Sequence, residues 1–218
     1  IRKKLNSYKP DAVGVSASFT ADVYSTFRIL DEINQFNPRI RTFVGGNHAT
    51  MCPDDFMGKA DVVVIGEGDQ TTPELIQLWE GNRPIREIPG LAFLSNGNWV
   101  STGSRHLLEN LDEIVHPARN LVSKYGEHYF LGSRQPCASV ETSRGCPYQC
   151  RFCAVWRFYQ GSYRFRSSDR IIRELAGIKS SRIFFVDDNF FGNIQKAESI
   201  LQGIQSAGIK KNYIMQIR

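Results

Sequence analysis

The sequence lacks a long apolar run. No stretch approaches the 18 or more consecutive apolar residues that cross a bilayer, and no charged-then-apolar leader precedes the first apolar segment. Internal repeats and low-complexity segments are also absent. These absences argue against a membrane span or a secreted chain, and we expect a cytoplasmic protein. With 218 residues, 41% of them apolar, the chain can form one large or two small hydrophobic cores.

Cysteine is scarce, and its distribution is uneven. Of the five cysteines, Cys146, Cys150 and Cys153 share one short stretch, at the spacing C-x3-C-x2-C. An odd number of closely spaced thiols in a chain without a secretory signal does not favour a disulfide. The other two, Cys52 and Cys137, are predicted to be core or loop residues, and we assign no role to them.

The three clustered thiols indicate a metal centre. Three thiolates from one loop can ligate three irons of a 4Fe-4S cubane, which leaves the fourth iron open to a small molecule. A structural zinc site usually needs four protein ligands, and neither a fourth Cys nor a His follows Cys153 within the next turn or two. Zinc is therefore the weaker alternative, and an open iron indicates chemistry in addition to electron storage.

Acidic and basic residues are divided unequally along the chain. Residues 1–110 carry 11 Lys and Arg against 13 Asp and Glu, whereas residues 111–218 carry 16 against 9, so the two halves look like different modules. A basic run interleaved with aromatic residues can bind nucleic acid. No recognised nucleic-acid-binding module accompanies it, so we favour a wall around an anionic cofactor and expect no nucleic-acid partner. The run comprises Arg144, Arg151, Arg157, Arg164, Arg166, Arg170 and Arg173.

The first half reads as an open parallel α/β sheet. Short β-rich runs at 12–16, 41–44 and 61–65 alternate with a helical pattern at 22–36 and with a second helix that we expect to begin at Thr72 and Pro73. Glycines follow the second and third strands. In such sheets ligands bind at the carboxyl ends of the strands.

The second half reads as β-α-β-α-β, with the cysteine stretch after its first strand. An Asn96-Gly97 hairpin lies in a segment that we expect to connect the two modules. The expected domains are 1–80, a connector over 81–136, and 137–218. The elements of the last are strands at 138–141, 182–186 and 213–217 and helices around 171–175 and 196–207.

The cysteine stretch resembles the hallmark of the radical S-adenosylmethionine (SAM) enzymes, C-x3-C-x-aromatic-C, with Phe152 as the aromatic residue. The resemblance implies that Cys146, Cys150 and Cys153 ligate a 4Fe-4S cluster whose open iron chelates SAM. It also implies reductive cleavage of SAM to a 5'-deoxyadenosyl radical, an electron donor such as flavodoxin or ferredoxin, and a partial (β/α)6 barrel of which this chain holds the first half. Phe152 is expected beside the adenine, with an apolar anchor of the loop as the alternative.

Further SAM contacts are expected at two strand ends. Asp187 and Asp188 resemble the family's Asp-Asp/Glu-x-Phe stretch, where a carboxylate can meet the SAM amino group. The alternative is that one Asp caps the following helix and the other pairs with an Arg. Gln216 and Arg218, at the end of the third strand, are also expected to reach SAM, although any half-buried strand can end this way.

The first half resembles a cobalamin-binding domain. Ser16-Ala17-Ser18, followed after 26 residues by Gly45-Gly46, resembles the second and third elements of that Rossmann-like fold, with Ser18 in place of the usual Leu. The family's first element, Asp-x-His-x-x-Gly, is missing, so we expect an N-terminally truncated fragment. His48 is a candidate cobalt ligand, with a plain loop histidine as the favoured alternative. The residues expected to line the cobalamin site are Ser16, Ser18, Gly45, Gly46, Gly66 and Gly68.

The combined resemblance predicts a cobalamin-dependent radical SAM enzyme that acts on a small-molecule substrate, most simply by methylating an unactivated carbon. An anaerobic magnesium-protoporphyrin monomethyl ester oxidative cyclase is an alternative, because the stretches 153–159 and 163–166 resemble that enzyme. A non-catalytic iron-sulfur or zinc protein is an alternative of another class. The sequence does not identify the substrate.

Overall fold

A computed structural model describes residues 1–81, 84–132 and 136–217. The chain forms two compact units, Ile1–Leu107 and Leu108–Arg218. Among the described residues, none of the helices is both long and apolar enough to cross a membrane.

Unit 1 is built on a five-stranded sheet in the order β1-β2-β3-β4-β5. The first three strands are parallel, and β4 and β5 add to the edge of β3 in the antiparallel sense. The hairpin turn at Asn96 and Gly97 has positive φ angles of 50° and 79°, as a two-residue hairpin loop of type I′ requires. The hairpin therefore extends the sheet of unit 1 and is not a separate connector. The strands are Ala12–Ser16, Arg41–Gly45, Val62–Val64, Leu91–Ser95 and Asn98–Ser101.

In the described part of unit 1, four α-helices accompany this sheet. They are α1 (Arg2–Tyr8), α2 (Val23–Phe36), α3 (Asn47–Met51) and α4 (Gly68–Glu80). The buried side of α2 repeats every three or four residues, as its sequence predicts. The predicted start of α4 at Thr72 was wrong, because the helix begins one turn earlier and Pro73 lies inside it. Proline has a φ that suits a helix, and here it removes only one hydrogen bond near the exposed amino-terminal end.

Unit 2 contains the predicted β-α-β-α-β sequence. Its parallel sheet has the order β10-β9-β6, and α6 and α7 pack together over it. Buried apolar residues from both helices and from β6 and β9 form one core, which includes Ile171, Leu175, Ile183, Phe185 and Ile200, and partly buried residues of β10 pack against it. An antiparallel pair, β7 and β8, was not foreseen. The elements are β6 (Ala138–Val140), β7 (Ser143–Gly145), α5 (Val155–Phe158), β8 (Tyr163–Phe165), α6 (Ser168–Gly177), β9 (Arg182–Phe185), α7 (Ile194–Ser206) and β10 (Asn212–Met215).

Residues 108–119 are fastened to unit 2 by what we call the connector clasp. Leu111 is fully buried. The clasp consists of three hydrogen bonds: Arg164 to the Leu108 carbonyl, the Ser167 amide to the Asp112 carboxylate, and Arg170 to the Ile114 carbonyl. The segment is thus part of unit 2.

A buried ion-pair group reinforces the clasp. Arg166 and Glu174 are both about 5% exposed and pair at 3.1 Å, and Arg119 donates to the same carboxylate and to the Ser139 carbonyl. Several arginines of the basic run therefore bind other parts of unit 2. Arg164 and Arg170 bind backbone carbonyls of residues 108–119, and Arg166 binds Glu174. These contacts stabilise unit 2, whereas the sequence had predicted that the same arginines surround a cofactor.

Candidate functional site

The cysteine loop leaves the end of β7 at Gly145. Gly145 has a φ of +91°, and a Cβ at this position would lie 2.0 Å from the Ser162 carbonyl oxygen. Only glycine fits both constraints, so this residue fixes the path of the chain into Cys146. The three loop cysteines are free thiols of intermediate exposure, which leaves their sulfurs available as ligands.

Local hydrogen bonds shape the rest of the loop. The Cys150 carbonyl accepts from the Cys153 amide at 3.0 Å and from the Trp156 indole nitrogen at 3.2 Å. Trp156 is thereby held against the loop backbone. Phe152 is 93% exposed, so it does not act as an apolar anchor of the loop and instead presents its ring to solvent.

Asp187 ties the end of β9 to the chain between β6 and β7. Its carboxylate accepts the backbone amides and the hydroxyls of Thr142 and Ser143. Three of these hydrogen bonds end on Oδ1 and one ends on Oδ2. Burial raises the pKa of Asp187, and the four hydrogen bonds oppose this. The predicted alternatives of a helix cap or an Arg partner do not describe this residue; α7 is capped by Asn193.

Asp188 lies beside the start of the cysteine loop. Its carboxylate accepts a hydrogen bond from the Gly145 amide, and the group is only partly exposed. Burial raises the pKa of Asp188 to about 6, helped by the negative charges of Asp187 and Glu141. A carboxylate in such surroundings gains from a cationic partner, because the partner offsets the cost of keeping its charge away from water.

Gln216 lies at the exposed end of β10. Its backbone carbonyl accepts a hydrogen bond from the Phe190 backbone amide at 3.0 Å, and this bond joins the end of β10 to the chain after β9. Arg218 lies outside the described residues.

Thr142 and Ser143 were missed by the sequence analysis. Both are buried, and they hold Asp187. The available signal was a pair of hydroxyl residues immediately before Arg144, Gly145 and the first cysteine.

The six residues expected at the cobalamin site lie at the carboxyl ends of β1, β2 and β3 or just beyond them. Ser16 and Gly45 are paired in register, and the Ser16 and Ser18 hydroxyls are 3.0 Å apart. Gly46 has a φ of +116°, and a Cβ there would lie 2.8 Å from the Ala17 carbonyl oxygen. At Gly45 a Cβ would make only an ordinary contact, so the protein itself does not require glycine there.

Two more glycines follow β3. Gly66 has a φ of +81° and donates its amide to the Thr50 hydroxyl at 3.0 Å, and a Cβ there would have no atom within 4 Å. A Cβ at Gly68 would lie 3.1 Å from the Thr72 hydroxyl oxygen. The space beside Gly45 and Gly66 is therefore compatible with a ligand that approaches the backbone.

His48 is buried and bound on both ring nitrogens. Nδ1 lies 3.1 Å from the Thr20 hydroxyl, and Nε2 lies 2.8 Å from a carboxylate oxygen of Asp55. Its amide also donates to the Ala17 carbonyl. In this arrangement the ring is held by protein groups, and His48 belongs to α3 instead of a loop.

Comparison with known proteins places these features in a family context. Residues 1–76 match the family model described as the B12 binding domain. The hopanoid C-3 methylase of Methylococcus capsulatus is 38% identical over 99% of this chain and 42% of its own length. The anaerobic magnesium-protoporphyrin IX monomethyl ester cyclase of Rubrivivax gelatinosus is 29% identical over 80% of this chain and 32% of its own length. The chain thus spans less than half the length of these relatives.

Solved structures share the fold. The cobalamin-dependent S-adenosylmethionine radical enzyme OxsB, with aqua-cobalamin and S-adenosylmethionine bound, superposes with a TM-score of 0.78 at 21% identity, over 97% of this chain and 31% of that one. The radical S-adenosylmethionine methyltransferase TsrM from Kitasatospora setae, with cobalamin and a [4Fe-4S] cluster bound, gives 0.74 at 20% identity, over 93% and 43%. The predicted fold, a Rossmann-like domain followed by the first half of a partial barrel, is confirmed.

Proposed function

Because the chain belongs to the cobalamin-binding-domain radical SAM enzyme family, we propose that it is the cofactor-holding part of a cobalamin-dependent methyltransferase that acts on an unactivated carbon. The observation that carries this proposal is the cysteine loop itself. The loop that carries the three accessible thiols begins at the end of β7 with Gly145, a position where only glycine fits. The carboxylate of Asp188 accepts a hydrogen bond from the amide of that glycine.

The roles in unit 2 follow from what each side chain can still bind. Cys146, Cys150 and Cys153 hold the 4Fe-4S cluster. Asp188 would accept a hydrogen bond from the amino group of SAM, because it has acceptor capacity beyond the Gly145 amide, whereas Asp187 already accepts four hydrogen bonds from Thr142 and Ser143. Asp187 is therefore a positioning residue that fixes β7, and with it the start of the loop.

Two further SAM contacts rest on exposure and position. Phe152 is exposed and adjacent to a cluster ligand, which suits a ring that stacks on adenine. Gln216 contributes a polar side chain from the end of β10, and Arg218 retains its predicted role as a second contact at that strand end. When bound, the cluster supplies the electron that cleaves SAM, and cobalamin supplies the methyl group.

Unit 1 holds cobalamin at the carboxyl ends of its parallel strands. Ser16 and Ser18 offer hydroxyls there, Gly45 and Gly66 leave space for the nucleotide tail, Gly46 shapes the turn after β2, and Gly68 begins α4. The relatives that are named methylases support methyl transfer to a small molecule. A flavodoxin- or ferredoxin-like electron donor is the partner that the family resemblance implies. The cyclase relative keeps oxidative cyclisation as the second candidate.

Anaerobic electron paramagnetic resonance of the reconstituted, reduced full-length protein tests the cluster. Addition of SAM should perturb the 4Fe-4S signal, and added cobalamin should give the optical spectrum of a bound corrinoid. A cluster insensitive to SAM, or zinc in its place, would instead support the non-catalytic alternative. Transfer of an isotope-labelled methyl group from SAM to product separates methylation from cyclisation.

A matched pair of variants tests whether the cofactors occupy separate units. Cys150→Ala should abolish the cluster but spare corrinoid binding, because the substituted residue lies in unit 2 and the cobalamin residues lie in unit 1. Cys137→Ala should retain both cofactors. Loss of both in Cys150→Ala would contradict two independent sites.

A further inference from the structure

A second set of metal-binding side chains lies in unit 1. One donor atom from each of His48, Cys52 and Asp55 lies within 4.8 Å of the other two. Within the part of the chain that the structure describes, no other three His, Cys, Asp or Glu residues bring their donor atoms so close together. Neither the 4Fe-4S cluster nor cobalamin accounts for this group in the function proposed above.

Two consecutive turns bring these side chains together. The Cys52 amide donates to the His48 carbonyl at 2.8 Å, and the Asp55 amide donates to the Cys52 carbonyl at 3.2 Å. The first bond closes the end of α3, and the second lies in the 3-10 turn Pro53–Phe56 that follows. The spacing H-x3-C-x2-D thus places an imidazole, a thiol and a carboxylate on one side of the chain.

The imidazole is oriented as a metal ligand would be. A ligating histidine usually has its second ring nitrogen hydrogen-bonded to a protein group, which fixes the ring. Here Nδ1 faces the Thr20 hydroxyl, the ring edge packs against buried Phe56 with centroids 6.0 Å apart, and the side chain is only 6% exposed. Nε2 faces Asp55, and the thiol of Cys52 lies within 4.8 Å of an imidazole nitrogen and a carboxylate oxygen of this pair.

Nε2 lies 2.8 Å from a carboxylate oxygen of Asp55; a proton on Nε2 makes this an ordinary hydrogen bond, and at a metal site a cation takes the place of that proton. When Nδ1 carries the proton and donates it to Thr20, Nε2 presents a lone pair to a carboxylate oxygen 2.8 Å away. Two acceptors at that distance repel unless a proton or a cation lies between them. Cys52 and Asp55 are both exposed and can adjust, whereas His48 is held by its neighbours.

From these contacts we propose that His48 Nε2, Cys52 Sγ and a carboxylate oxygen of Asp55 bind one zinc-class divalent cation. Nitrogen, sulfur and oxygen donors together suit borderline-soft Zn²⁺, and the thiolate and carboxylate charges balance it. Bond lengths of about 2.0–2.3 Å place tetrahedral ligand atoms roughly 3.3–3.6 Å apart, so small rotations of two exposed side chains complete the site. Three protein ligands leave the fourth position to water.

The test measures zinc on the cluster-reconstituted chain, by elemental analysis after desalting and by competition with a chelating dye. The wild-type chain and Cys137→Ser should each retain one zinc. Cys52→Ser and Asp55→Asn should bind it at least about tenfold more weakly, and Thr20→Val should weaken it about tenfold by releasing Nδ1. These substitutions change exposed side chains, so they test the site without removing the buried ring.

X-ray absorption at the zinc edge distinguishes this site from the cysteine loop, because it does not detect iron. The proposed site predicts one sulfur at about 2.3 Å and nitrogen or oxygen at about 2.0–2.2 Å. Three sulfurs around zinc, no zinc retained by the wild-type chain, or Cys52→Ser binding zinc as tightly as Cys137→Ser would each overturn the proposal. The site is independent of the proposed methyltransferase, whose SAM-perturbed cluster signal is measured separately.

Discussion

Asp188→Asn should make unit 2 more stable while it weakens SAM binding. Burial raises the pKa of Asp188 from 3.8 to about 6, so the folded chain disfavours the charged form. The stability that this group contributes is therefore present below pH 3.8 and is lost as the pH rises through about 6. Asparagine keeps an acceptor for the Gly145 amide and removes the charge.

The pKa difference sets an upper limit on the increase in the free energy of unfolding that Asp188→Asn can cause. At about 1.36 kcal/mol for each pH unit, the shift corresponds to roughly 3 kcal/mol at pH 8 and to about a third of that at pH 4.5. Partial exposure of the carboxylate screens the interaction, so we expect a gain of about 1–2 kcal/mol at pH 8. The gain should shrink as the solution is acidified.

Native-state hydrogen exchange of the amides in β9 measures the free energy of unfolding of unit 2 alone, because core strands exchange through global opening of the unit that contains them. The measurement uses the cofactor-free, reduced chain at pH 8 and pH 4.5, with exposed Glu198→Gln on α7 as the matched control. SAM affinity is measured on the reconstituted protein. Equal stability changes at the two pH values, or a loss of stability at pH 8, would refute the reasoning.

Three further substitutions probe the backbone and the buried ion pairs. Gly145→Ala should lower the iron content and destabilise unit 2 by more than about 2 kcal/mol, because its Cβ would meet a carbonyl oxygen, whereas Gly177→Ala, which meets no atom within 4 Å, should load iron normally. Gly45→Ala should change the free energy of unfolding by less than about 0.5 kcal/mol yet weaken cobalamin at least tenfold in a titration, and unchanged affinity would contradict ligand approach there. Glu174→Gln should cost about 3–5 kcal/mol in urea denaturation by removing the buried negative charge that pairs with Arg119 and buried Arg166, while exposed Glu198→Gln should have little effect.

The sequence predicts best those features that depend on local periodicity. Helices α2, α6 and α7 were predicted because apolar residues recur on one face of each. The residues that form such a face are only three or four positions apart in the sequence. The cysteine spacing is readable for the same reason, since all three thiols belong to one loop. The start of α4 was misplaced because Thr72 and Pro73 form a good local start signal, yet the helix continues through both from Gly68.

Features that depend on long-range contacts could not be read in this way. Asp187 and Asp188 are adjacent and chemically identical in the sequence, but one is enclosed by the turn after β6 and the other contacts Gly145. Their different roles follow from partners more than 40 residues away. The arginines of the basic run likewise looked available for a cofactor until their partners in residues 108–119 were known.

The connector clasp affects the susceptibility of residues 108–119 to proteolysis. Residues 108–119 contain no α-helix or β-strand, and a segment of this kind is ordinarily the first target in limited proteolysis. Here two arginine side chains of unit 2 bind two of its carbonyls and the Ser167 amide binds its Asp112 carboxylate, so a protease can bind this segment for cleavage only after those hydrogen bonds have opened. The rate of cutting between the units therefore reports the opening of the clasp, and a nicked chain would keep this strip of polypeptide attached to unit 2.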